Sequence, residues 1–111
     1  GITVRSKNYS IDLGCTGFLR LRTKVAELTA PDNSYTIADF WTEGVYFDFL
    51  YESDCSGEMD VKHCHSIYEV IKDYDDNICY GYAGQRDCAT FKDFKRLVMD
   101  CIDTGTIMKW W

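Results

Sequence analysis

FLRLRTKVAEL, residues 18–28, is the stretch on which the fold turns. Leu19, Leu21, Thr23 and Val25 alternate with Arg20, Arg22 and Lys24, a period of two that predicts a β-strand with three cations on one face. Outward from it, residues 2–5 and 9–13 read as shorter strands. VYFDFLYE, residues 45–52, is a second long strand with Phe47, Phe49 and Tyr51 on one side. A turn cluster, APDNS at 30–34, and a short helix over 35–42 fill the space between the two long strands.

The period then changes. Residues 60–74 put Val61, Cys64, Ile67, Tyr68 and Ile71 on one helical face and Lys62, His65, Glu69 and Lys72 opposite. Thr90 and Asp93 have the spacing of a capping box ahead of an apolar stripe of Phe91, Phe94, Leu97, Val98 and Cys101, and Gly105 marks the helix stop. TIMKWW, residues 106–111, adds a last strand or covers an edge of the core. The expected fold is α+β, an antiparallel sheet with two amphipathic helices packed on one face and three disulfides, in a single domain spanning residues 1–111.

The disulfides are expected from six cysteines, Cys15, Cys55, Cys64, Cys79, Cys88 and Cys101, dispersed through 111 residues. Such a set in a short chain predicts an oxidising compartment, hence a secreted, extracellular protein whose numbered chain is a mature form. Pairing stays open. Cys64 and Cys101 point inward from the two helical stripes, Cys79 and Cys88 bracket a segment able to close as a hairpin, and Cys15 calls for a long-range bridge. Asn8-Tyr9-Ser10 fits an N-glycosylation acceptor.

Net charge is −6, and it is uneven. Residues 1–26 carry five Lys and Arg against Asp12 alone, while residues 39–60 carry seven acids and no Lys or Arg. That balance disfavours nucleic acid as a partner, unless folding gathers the basic residues into one patch. A cationic partner fits better. The stripe Arg20, Arg22 and Lys24 either binds an anionic partner or lipid headgroup, or pairs across strands with Asp48 and Glu52.

Other chemistry is sparse. His63-Cys64-His65 contains zinc-ligand types, but the two imidazoles point about 200° apart on a helix, so no metal and no cofactor is expected. His63, His65 and Glu69 are the candidate proton carriers for a hydrolase, without a nucleophile motif to accompany them. Tyr80, Tyr82, Trp110 and Trp111, in loop or terminal segments, offer the large rigid contact area that interfaces favour.

In size, cysteine number and α+β pattern the whole chain resembles the small secreted cysteine-rich proteins that fungi and parasites release against hosts or competitors, effectors and killer-type toxins among them. The resemblance implies a protein that acts by binding a host or competitor protein or a cell-surface component. The alternatives are a small secreted hydrolase of ribonuclease type, and a membrane-active toxin using the basic stretch and the aromatic tail.

Overall fold

The computed structural model describes residues 2–29, 49, 55–74 and 89–111. Its elements run β1 (Thr3–Arg5), β2 (Ser10–Asp12), α1 (Gly14–Thr29), β3 (Gly57–Met59), α2 (Val61–Ile71), α3 (Phe91–Thr104) and β4 (Met108–Trp110). The four strands form one open antiparallel sheet in the order β2-β1-β4-β3. The fold is therefore α+β, but with three helices rather than two among the described residues, and with no disulfide.

The third helix is the stretch expected to be a strand. Residues 18–28 lie inside the 16-residue α1. Phe18, Leu21, Val25 and Ala26 are buried, with Gly14 and Gly17 before them, a spacing of three and four that fits a helix. Leu19, which completed the alternation, stands 52% exposed. Intrinsic preference agrees: Leu, Arg, Lys, Ala and Glu are good helix formers, and only Thr23 and Val25 are β-branched. The expected strand over residues 45–52 and the short helix over 35–42 lie outside the described residues, apart from Phe49, which is helical.

Register puts Ile11, Val4 and Trp110 side by side and Met59 beside Met108, so one sheet face is apolar. Ser10, Asp12, Glu58 and Lys109 occupy the other face and are exposed. The apolar face packs into one core with Phe18, Leu21 and Val25 of α1, Cys64, Ile67 and Ile71 of α2, and Phe94, Leu97, Val98 and Cys101 of α3. Rings run through it in a chain. Trp110 lies 5.6 Å from Phe18 and 5.8 Å from Phe49, Phe49 stacks on Phe94 at 5.7 Å, and Phe91 meets Tyr74 edge-on at 5.0 Å.

Local chemistry fixes the helix ends. Asp60 caps α2, its Oδ1 accepting the His63 amide at 2.8 Å. Thr90 and Asp93 make a complete capping box on α3, and Gly105 ends that helix at φ 67, the left-handed conformation that glycine tolerates.

The cysteines are the second correction. Cys15 and Cys55 are exposed, Cys64 and Cys101 are buried, and none of the four is in a disulfide; Cys79 and Cys88 lie outside the described residues. Cys15 sits on α1, which packs into the core directly and needs no long-range staple. Cys64 and Cys101 do point inward, and meet as thiols: the Cys64 thiol hydrogen-bonds the Cys101 sulfur and pulls the Cys101 pKa below the ordinary thiol value, against burial and the Asp100 charge. With these four cysteines as free thiols, the three expected bridges do not form.

Two outcomes are expected. Native alkylation without reductant labels Cys15 and Cys55, whereas Cys64 and Cys101 react only after unfolding; a bridged peptide containing any of the four would contradict the thiol assignment. Trp110→Ala empties the centre of the ring chain and should lower unfolding free energy by about 3–5 kcal/mol in urea titrations.

Candidate anion-binding cleft

On α3, Lys92, Arg96, Met99 and Asp103 follow one another at intervals of four, three and four residues, so they stand along one side of the helix. Opposite them are Tyr68, in the last turns of α2, and Lys72, which caps that helix. The residues between β1 and β2 bring Tyr9 across the end. Together with Lys95 and Asp100 these side chains enclose a cleft of about 440 Å³.

The β1–β2 turn is fastened to α3 by Asp100, which is only 8% exposed. Its Oδ2 accepts the Ser6 hydroxyl at 2.6 Å and the Asn8 amide at 2.7 Å, and its Oδ1 accepts the Asn8 side-chain amide at 2.8 Å. Those bonds, with the Ser6 hydroxyl first, hold the Asp100 carboxyl below the ordinary carboxylate value, although burial opposes them. The amide nitrogen that a glycan on Asn8 would take is thus engaged with Asp100. Ser6 also receives the Tyr9 amide at 3.2 Å, so the turn is held at both ends.

The cations differ in their commitments. Lys95 donates to the carbonyls of Lys72 at 3.0 Å and Tyr74 at 2.5 Å, satisfying the frayed end of α2. Lys72 pairs with Glu69 at 2.8 Å on the surface, a bond that raises the lysine pKa. Arg96 lies 5.8 Å over the Tyr9 ring. Among the described residues neither Lys92 nor Arg96 makes an ion pair. Four cations therefore face two carboxylates here, one of which, Asp100, is already saturated by donors. The lining residues are net positive in a chain of net charge −6, and Glu69, bonded to Lys72, offsets part of that excess.

The residues singled out from sequence are scattered. In the helix that replaces the strand, Arg20 is exposed, Arg22 is buried, and Lys24 is half-buried and bonded to Glu27 at 2.6 Å. That bond raises the Lys24 pKa against the effect of burial, with Tyr74 adding to it. The Arg22 Nε donates to the Phe49 carbonyl at 2.8 Å, so this guanidinium serves the core. Asp48 and Glu52, the expected cross-strand partners, lie outside the described residues. So do Tyr80 and Tyr82.

Trp110 is wholly buried, whereas Trp111 is 54% exposed beneath the Arg5 guanidinium at 3.9 Å. His63 is half-buried, its Nδ1 3.6 Å from Asp60, while His65 is exposed and Glu69 is bonded to Lys72. His63 therefore faces Asp60 and Glu69 faces Lys72, two different partners. No group of three or more His, Cys, Asp and Glu converges as metal ligands among the described residues. None of the described helices is long and apolar enough to cross a membrane.

Lys72, Lys92, Lys95 and Arg96 were not singled out by the sequence. The signal was present in FKDFKR, residues 91–96, which sets three cations on neighbouring turns of one helix. Its apolar stripe could be read without the charged side, and nothing local shows that Lys72 lies opposite.

The chain matches no protein-family model, no curated protein and no solved structure. The cleft must therefore be read from its own chemistry.

The Asp100 bonds carry a pH dependence. A carboxyl whose pKa is lowered by folding adds stability above its unfolded value of about 3.8, and that stability is lost as pH falls through the folded value. Asp100→Asn should be less stable than the parent at neutral pH, and the gap should narrow as both are acidified below pH ~4. Urea titrations at neutral and acid pH measure it, and a gap independent of pH would show that the carboxylate charge has no part in holding the turn.

Proposed function

We propose that this protein works by binding, and that the cleft between α2, α3 and the β1–β2 turn holds an anionic group of its partner. The observation that carries the reading is the concentration of Lys72, Lys92, Lys95 and Arg96 around one concavity in an acidic chain. An excess of cations around a concavity attracts a counter-charged ligand and raises its local concentration. Two tyrosines and a methionine supply the apolar contact that turns attraction into a defined pose.

The partner expected from charge alone was cationic. The cleft favours the opposite sign at this site, because folding gathers cations that are separated in sequence. This is a different set of residues from Arg20, Arg22 and Lys24.

Titration with inorganic pyrophosphate, followed by amide NMR shifts, tests the reading. Shifts should concentrate at residues 68–74 and 91–103, and should fade between roughly 0.02 and 0.5 M salt as charges are screened. The double variant Lys92→Glu, Arg96→Glu should lose them while keeping the fold, since Lys92 and Arg96 are exposed. Shifts that are spread over the molecule, or that survive the charge reversal, would remove the cleft from consideration.

A further inference from the structure

We infer that the ligand of this cleft is a small phosphate ester carrying an aromatic ring, a molecule of mononucleotide size, bound with its phosphate at the Lys92 and Arg96 end. The inference rests on the anion-binding reading above and narrows it to a ligand class.

Three observations carry it. Along the cleft side of α3 the charge changes sign, from Lys92 and Arg96 through the apolar Met99 to Asp103. A ligand lying along that line needs an anionic end, a flat or apolar middle and a hydrogen-bond donor at the far end. A nucleotide has all three: phosphate, ring, and amino or hydroxyl groups. Arg is suited to phosphate because its planar guanidinium offers paired donors, and Lys adds a point charge.

Next, Tyr9 and Tyr68 stand in the walls, and neither is sealed in the core. A tyrosine face is a stacking surface for any base, which explains aromatic rings in an otherwise charged cleft.

Finally, the site is small and ends in acid. Its volume of about 440 Å³ falls in the range of small-molecule pockets. Exposed Asp103 lines it, and exposed Glu69 is bonded to Lys72 beside it. A long polyanion leaving the cleft would pass those carboxylates, whereas a single phosphate ester would not. This favours a free small ligand over a nucleic-acid strand.

Calorimetric titration of the full chain at low ionic strength with adenosine monophosphate, adenosine and inorganic phosphate separates the possibilities. Adenosine monophosphate should bind about tenfold tighter than either of the others, as expected for one stacked ring added to one bound phosphate. Tyr68→Leu and Tyr9→Ala should each bring it toward the affinity of inorganic phosphate and leave phosphate binding unchanged. Tyr9 is 44% exposed, so its variant keeps the test intact if Tyr68→Leu unfolds.

Lys92→Glu with Arg96→Glu should abolish binding of both phosphate ligands. Equal affinity for inorganic phosphate and adenosine monophosphate, or no loss in either tyrosine variant, would overturn the ring-bearing ligand while leaving the anion site standing. No binding of either phosphate ligand would overturn this inference, and silence in the pyrophosphate titration as well would overturn the anion site beneath it.

Discussion

The sheet and α1 meet at the indole of Trp110. It ends the last strand, touches Phe18 of α1 and Phe49, and through Phe49 reaches Phe94 of α3. A sheet of four three-residue strands cannot hold itself together, since each strand contributes few ladder bonds and short ribbons are marginal in water. What stabilises it is burial of one face, and Trp110 is the largest side chain on that face. The pairing of β4 with both β1 and β3 follows from this. The strand carrying the indole is central, with Val4 paired to Trp110 on one side and Gly57 on the other.

The same packing makes the cleft. α2 and α3 are the most extensively packed pair of helices, joined along Cys64, Ile67, Phe94 and Cys101 in the core. Their outer sides diverge from that seam and leave the concavity, which the β1–β2 turn closes because Asp100 fastens it. A buried carboxylate alone would be costly; three donors from Ser6 and Asn8 offset that cost and fix the position of Tyr9. The site thus depends on a polar contact between residues more than ninety positions apart, supported by an apolar seam behind it.

This explains which parts were legible in the sequence. α2 and α3 announced themselves locally, by apolar stripes with the period of a helix and, for α3, a capping box at Thr90 and a stop at Gly105, while residues 106–111 allowed either β4 or a cover for the core edge. α1 misled because Leu19, an exposed leucine, supplied the one apolar position needed for a period of two, while Arg22, a buried arginine, occupied a core-facing position as a polar letter. Exchanging those two letters restores the helical pattern. β3, Gly57–Met59, carries too little side-chain information in three residues to be read. The cysteines misled in another way: their count fits disulfides, but a core that closes around Trp110 gives buried thiols a place without bridges. The cleft was illegible because its parts lie in three separate segments, and only the Lys92, Lys95, Arg96 cluster had any local signature.

The four cations of the cleft do two kinds of work, and their geometry separates them. Lys95 is bound to two carbonyls at the end of α2, where helix dipoles gather negative charge, so its ammonium holds the two helices in register and adds only its field to the cleft. Lys72 sits in an exposed pair with Glu69, worth little energetically, and can exchange that carboxylate for a better acceptor at small cost. Lys92 and Arg96 have no ion pair to give up among the described residues. A phosphate entering the cleft therefore gains most from Lys92 and Arg96, less from Lys72, and least directly from Lys95. Loss of Lys95 would disturb the shape of the site, whereas loss of Lys92 would change its charge, and loss of Arg96 its charge and its contact with Tyr9. Among the described residues, one lysine is thus held by backbone carbonyls, one by a surface carboxylate, and Lys92 and Arg96 by no ion pair.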